Sequence, residues 1–325
     1  MQPFSASSSQ PNAPGTGNAP RTPEPYSYGA GLVPPARLAL HPLPEGLAYT
    51  VVSYWEERLP GQVKRTTLEK TIRLAATRQP TEKLQLSYEV ATVTFQKPDV
   101  TSFERVLLLL AGLYQHLELR VTPLGQIVEV LNEPAIRQTW EGVKVELVRR
   151  SGGEDEFTQV LVSGLDEQFG QPGTVLASLS LDYFFSFLLQ NIYEQRFETN
   201  FRYGRARCFP QFFAEQDLWF WERLELTAPT GLERVALRLS GQPDLARTNP
   251  ADVAGQVAAA QQLLSPDAPV APISPAALRF GYEATAELDA ATGWPVRVEA
   301  SVRCGVAEGY SKEYFIRLEQ QPSPL

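Results

Sequence analysis

Strict alternation of apolar and polar residues over three long consecutive runs limits this chain more than any other feature. Across residues 47–57, Leu47, Tyr49, Val51 and Trp55 fall on one side of an extended strand. Residues 65–76 place Leu68, Ile72, Leu74 and Ala76 on one face and Arg65, Thr67, Glu69 and Arg73 on the other. Residues 83–95 align Leu84, Leu86, Tyr88 and Val90 in the same way. Leu59-Pro60-Gly61 supplies turn chemistry between the first two runs. Short connections between alternating strands predict an antiparallel meander with one wet face. The pattern returns at 201–209, 218–226 and 232–239, and again at 278–288, 294–304 and 310–318. Asp289 to Gly293 reads there as a hairpin loop.

Between these runs the apolar period changes to three and four. Thr101 or Ser102 is placed to cap a helix reaching about Gln115, on which Phe103, Val106, Leu107, Leu110 and Tyr114 recur. A hairpin over 117–131 turns at Pro123-Leu124-Gly125, and a helix over 133–148 follows. The stretch 154–197 is the most helical. One helix carries Phe157, Val160, Leu161, Leu165 and Phe169 and ends at Gly170. A second, over 181–197, is apolar around so much of its circumference that burial on more than one side is expected. Asn249-Pro250 with Asp252 marks a further helix start. Strands in sequential runs, not alternating singly with helices, predict an α+β fold. Its long antiparallel meanders form a curved sheet, a half-barrel or two sheets, around central aromatic helices.

Residues 1–44 hold ten of the 27 prolines and only three charges, Arg21, Glu24 and Arg37, so a disordered Pro/Ser/Gly-rich tail is expected. Residues 45–320 read as a single α+β domain. If it divides, the sub-lobes are 45–197 and 198–320. Residues 321–325 are a short C-terminal tail.

Composition removes several function classes. With 37 acidic against 29 basic side chains, the net charge of −8 opposes nucleic-acid binding. The longest apolar run, 106–113, falls far short of the roughly 20 residues of a membrane helix, so no membrane span is expected. Two cysteines and two histidines predict neither a disulfide framework nor a metal site. No phosphate-binding glycine loop or nucleophile elbow is present, so no cofactor and no catalytic residue are expected. The first 20 residues contain neither a basic residue nor an apolar run, which points to the cytoplasm. An envelope location fits a chain whose signal has been removed. The excess of arginine over lysine, with abundant Ala and Pro, suggests a GC-rich bacterial genome.

Two segments carry the candidate binding chemistry. From residue 196 to 213, Arg196, Arg202, Arg205 and Arg207 interleave with Phe197, Phe201, Tyr203 and Phe209. Arginine stems lying on rings pack a sheet edge, and the same combination contacts an anionic ligand or a protein. From 218 to 226, Trp219 and Trp221 share a face that Arg223 continues, opposite Leu218, Phe220, Leu224 and Leu226. Buried on both sides, the tryptophans are core; open on one side, they form a recognition platform. Glu222 interrupts the apolar face and needs a cation, which Arg205, Arg207, Arg223 or Arg234 offers.

The residues expected to bind are therefore Trp219, Trp221, Arg223, Tyr203 and Arg205. The expected function is a non-catalytic binding or assembly protein of bacterial origin, presenting an aromatic sheet face to a protein segment or apolar ligand. The alternative is a cofactor-independent hydrolase using a carboxylate pair, Glu222 and Asp182. The oligomeric state is not legible.

Overall fold

A computed structural model describes residues 38–80, 83–97, 99–151, 156–190, 192–194, 202–213, 216–227, 233–266 and 271–322. The expected tail therefore lies outside the described residues up to position 37, as do residues 195–201, which include Arg196, Phe197 and Phe201.

The strands are β1 (Leu43–Leu59), β2 (Gln62–Arg78), β3 (Leu84–Phe95), β4 (His116–Val121), β5 (Ile127–Val130), β6 (Arg202–Phe213), β7 (Gln216–Thr227), β8 (Arg234–Pro243), β9 (Leu278–Asp289), β10 (Pro295–Val306) and β11 (Ser311–Gln320). They form one curved antiparallel sheet in the order β5-β4-β3-β2-β1-β11-β10-β9-β8-β7-β6, open between β5 and β6. Consecutive strands pair within each of two runs, β1–β5 and β6–β11, while β5 and β6 lie at opposite edges. β1 and β11 join the two meanders at the centre, setting Val51 opposite Leu318 and Trp55 opposite Tyr314.

The alternation in the sequence becomes two chemically distinct faces. Tyr49, Ile72, Leu86, Leu119, Leu224, Leu237, Ala286, Val298 and Leu318 point inward and are buried. The outer face carries charge ladders, among them Arg234 with Glu287 at 3.1 Å and Arg297 with Glu299 at 3.3 Å.

Among the described residues, six α-helices accompany the sheet: α1 (Ser102–Ala111), α2 (Glu133–Ser151), α3 (Glu156–Gly170), α4 (Thr174–Leu181), α5 (Tyr183–Leu188) and α6 (Pro250–Leu264). α5 lies on the inner face. Its Tyr183 ring meets Trp55, Phe209 and Tyr314, Phe184 and Phe185 meet Tyr88, and Phe187 meets Phe209 and Tyr282.

Two expectations change here. The single helix over 181–197 is broken at Asp182, whose backbone is extended at φ −74° and ψ 122°. Its carboxylate accepts the Phe184 N–H at 2.7 Å and so starts a new helix instead of continuing the old one. α5 then ends at Leu188, and Gln190 takes a positive φ of 43°. Ile192 and Tyr193 reach the core by this irregular path, both 0% exposed.

Part of the expected tail also belongs to the core. Leu38 and Leu40, inside the proline-rich stretch, are core residues at 0% and 4% exposure. Backbone bonds from Glu194 to Leu38 and from His41 to Thr292 hold this segment, and the Trp294 indole donates to the His41 carbonyl at 2.8 Å. Gly293, at φ +76°, permits the approach, since a Cβ there would lie 2.2 Å from the Ala39 carbonyl oxygen.

α1 opens as its sequence predicts. Thr101 and Glu104 form a reciprocal capping box, and Lys97 reaches the Glu104 carboxylate at 2.6 Å. The Lys97 bond and the Thr101 N–H push the Glu104 pKa down to about 2. A carboxylate depressed on folding adds stability above its unfolded pKa and loses it as pH falls toward the folded value. Glu104→Gln is therefore expected to melt below the parent at pH 7. The gap should close between about pH 4.5 and pH 2, as thermal unfolding across that range would record.

Candidate functional site

On the outer face of β6 and β7, register sets Gly204 opposite Arg223, Ala206 opposite Trp221 and Cys208 opposite Trp219. The Trp221 indole lies against Gly204, where an added Cβ would stand 3.2 Å from Nε1. The missing side chain lets a wide ring lie on the neighbouring strand. Trp221 is 52% exposed. Trp219 is half-buried: the Arg247 guanidinium lies 5.0 Å from its ring, and its backbone N–H donates to Thr248 Oγ1 at 2.7 Å. Arg223 is exposed and pairs with Glu225 at 3.1 Å. These three residues therefore share one open surface.

Tyr203 and Arg205 do not join them. They project from the opposite face of β6, where Arg205 lies beside Glu222 in register. Glu222 is 0% exposed. Its Oε1 accepts Arg205 Nε and its Oε2 accepts the Tyr282 hydroxyl, both at 2.5 Å. Tyr282 reaches across β8 at Gly241, where a Cβ would stand 2.6 Å from its ring. Burial and the Glu222 charge hold the Tyr282 pKa well above its ordinary range, so the hydroxyl stays a donor. The buried acid singled out in the sequence thus finds its cation in Arg205, whose Nη1 also donates to the Gln190 carbonyl at 2.6 Å.

A second feature of the inner face went unread in the sequence. Tyr49 and Val51 of β1, Ile72, Leu74 and Ala76 of β2, and Leu84, Leu86, Tyr88 and Val90 of β3 are buried. On the same face toward the other end of these strands, Ser53, Trp55, Thr66, Leu68, Lys70, Val93 and Phe95 are only half-buried. Asp182 stands over this region. Its side chain keeps solvent-exposed surface yet is surrounded closely enough for burial to raise its pKa, with the Lys70 charge opposing. Asp182 and the half-buried residues of β1–β3 thus bound an open part of the inner face. The Asp182 charge is also felt by Tyr88, Tyr114, Tyr183 and Tyr314. Lys312 closes one side, its ammonium 4.8 Å from the Trp55 ring, with burial lowering its pKa and Glu57 opposing. Lys70 and Lys312 each interrupt an apolar strand face, the same signal that marked Glu222.

The two carboxylates of the hydrolase alternative are engaged separately, Asp182 as the cap of α5 and Glu222 with Arg205 and Tyr282. Cys208 and Cys304 are free, and burial pushes both thiols up to about 12. Among the described residues, no helix is long and apolar enough to cross a membrane.

No protein-family model matches the chain, and no curated protein matches it. Solved structures with some similarity include one of lipid–protein interactions in lipovitellin, at 8% identity and a TM-score of 0.40. A MucA/MucB complex of Pseudomonas aeruginosa follows at 10% identity and a TM-score of 0.20. A DUF1329 family protein from Desulfovibrio piger has 7% identity and a TM-score of 0.16, covering 86% of this chain and 88% of that one. The first two alignments cover 85% of this chain but only 25% of the lipovitellin chain and 53% of the MucA/MucB chain. Similarity at this level leaves the site to be read from the chain's own residues.

Proposed function

We propose that the protein is a non-catalytic binding protein that holds an apolar ligand against the open part of its concave face, between the Leu181–Asp182 turn and the half-buried ends of β1–β3. The observation that carries this reading is the change along one sheet face from buried to half-buried apolar residues, with Trp55, Leu68 and Val93 on the open side. An apolar strip of Trp55, Leu68, Val93 and Phe95, flanked by the charges of Lys70, Asp182 and Lys312, suits a ligand with an apolar chain and a small polar end.

Titration with cis-parinaric acid, a fluorescent fatty acid, tests it. Leu68 is only half-buried, so Leu68→Asp should fold while placing a charge on this open part of the face. The expected result is saturable enhancement with the parent and at least about tenfold weaker binding in the variant. Equal binding by the two proteins, or none by the parent, would overturn the proposal.

A second contact, for a protein segment, rests on the exposure of Trp221 beside Trp219 and Arg223. An aromatic pair with a cation at its rim is the composition of an interface centre. Arg205, on the other face, belongs to the structural network in this reading, and Tyr203 lies outside the platform on that same face. Trp221→Ala is expected to change unfolding free energy by less than about 1 kcal/mol, as an open surface position does. Trp219→Ala should cost more, about 1–3 kcal/mol, because that ring is half-buried under Arg247. Equal large losses in urea unfolding would make both tryptophans core and remove the platform.

A further inference from the structure

The alternation that builds the apolar inner face also sets a row of four residues on the outer face, near the β10–β11 turn. Register places Arg58 of β1 opposite Ser311 of β11, Ser311 opposite Gly305 of β10, and Gly305 opposite Arg279 of β9. The two arginines are thus three strand spacings apart, about 14 Å at the backbone. The residues between them carry a hydroxyl and no side chain, so nothing long fills the space between the guanidinium groups. Arg303 stands two residues along β10 from Gly305, on the same face. All three arginines are exposed, the Arg58 side chain at 56%. They line one cavity of about 660 Å³ beside the β1–β2 and β10–β11 turns.

The neighbouring carboxylates do not balance this charge. Arg58 shares the single carboxylate of Glu56, which is 1% exposed, with Arg65. Arg303 lies across Gly281 of β9, where an added Cβ would stand 2.7 Å from its Nε. It turns away from Glu313, its opposite on β11, which accepts the Ser301 hydroxyl at 2.7 Å instead. Arg279 donates to the Ala276 and Leu278 carbonyls at 3.3 and 3.2 Å. Among the described residues, neither Arg279 nor Arg303 forms an ion pair with a carboxylate. One acid, Glu308, joins the three arginines in the lining. In a chain of net charge −8, the sign of the overall balance is reversed here.

We infer that this cavity binds a phosphomonoester, its phosphate held between the guanidinium groups of Arg58, Arg279 and Arg303. The planar fork of arginine pairs with two phosphate oxygens at once, and a phosphate has enough oxygens for more than one fork. The Ser311 hydroxyl adds a neutral donor. Three arginines against one glutamate leave an excess that a dianion matches better than a monocarboxylate does. The volume falls within the roughly 300–1,000 Å³ of small-molecule sites, so an organic body accompanies the phosphate. Pro60 and Val306 line the cavity with apolar surface for it. The lining shares no residue with the strip of Trp55, Leu68, Val93 and Phe95.

Saturation-transfer NMR on the full chain tests the assignment at about pH 8, where a phosphomonoester is a dianion, with phenyl phosphate and benzoate as probes. Phenyl phosphate should bind saturably with a dissociation constant on the order of millimolar or below, and benzoate at least about tenfold more weakly. Arg279→Gln with Arg303→Gln should weaken phenyl phosphate at least about tenfold and still fold, because both side chains are exposed. Arg234→Gln with Arg238→Gln removes the same charge elsewhere on the outer face and should leave binding within about twofold. Leu68→Asp should leave it unchanged, so this inference and the apolar-ligand reading fail separately. Flotation with vesicles of phosphatidylcholine and phosphatidate, about four to one, separates two sources of the group. Co-flotation that the Arg279–Arg303 variant abolishes assigns a lipid headgroup; phenyl phosphate binding without co-flotation assigns a soluble ester. Absence of saturable phenyl phosphate binding up to about 20 mM would overturn the inference. So would equal binding of benzoate, or unchanged affinity in the folded Arg279–Arg303 variant. If that variant does not fold, Arg303→Gln alone decides, and a weakening of less than about twofold there refutes the site.

Discussion

Glu222→Ala is expected to destabilise the protein by about 3–5 kcal/mol, measured as the loss of unfolding free energy in urea. The reason lies in what it leaves behind. Arg205 is held at 2.5 Å from a carboxylate that is 0% exposed, and Tyr282 reaches the same group across β8. Removing the acid strands a mostly buried guanidinium and orphans a buried hydroxyl at once. The network spans β6, β7 and β9, so the loss should appear in global unfolding and not as local fraying. Replacing both ionic partners, Glu222→Leu with Arg205→Met, should recover most of the stability, because an apolar pair of similar volume costs no desolvation. A loss below about 1 kcal/mol for the single variant would mean that water reaches Arg205 and that the pair is not a buried one.

Phe209→Ala should cost a comparable amount, about 3–5 kcal/mol. Phe209 is 0% exposed, and its ring lies 4.9 Å from Tyr282, 5.5 Å from Tyr183, 5.7 Å from Phe220 and 6.1 Å from Phe187. Two of these partners belong to α5 and two to the sheet, so this ring ties the helix to the concave face. Each aromatic pair adds roughly 0.5–1.5 kcal/mol beyond area burial. The variant should therefore lose near-ultraviolet circular dichroism around α5 as well as stability. Retention of that signal together with a cost below about 2 kcal/mol would show that α5 is held chiefly by Tyr183 and Phe184.

Period and capping were legible because they depend on neighbours in the chain. The alternation over residues 65–76 assigns Leu68, Ile72 and Leu74 to one face, and the sheet has them there. Thr101 with Glu104, and Asn249 with Pro250, begin the helices that they predict. Glu222 announced a buried cation because an acid on an apolar strand face cannot be left alone, and Arg205 is that cation. The break at Asp182 was not legible in the apolar run, since Leu181, Phe184 and Leu188 satisfy helical spacing on both sides of it. An extended backbone at one residue divides that run without disturbing its composition.

By itself, the sequence determined the strands, which faces of them are apolar, the helix starts at Thr101 and Asn249 and the need for a partner at Glu222. Tertiary structure alone decided that β1 and β11 join two meanders into one sheet, because that pairing depends on contacts between the two ends of the chain. It also decided where Trp55 and Leu68 stay open and that Arg205 pairs with Glu222 while Arg207, 9% exposed, forms no ion pair with a carboxylate among the described residues. The physical reason is the range of the interactions. Backbone period and caps are settled within a few residues, whereas solvent exposure and charge pairing depend on which distant segment covers each side chain.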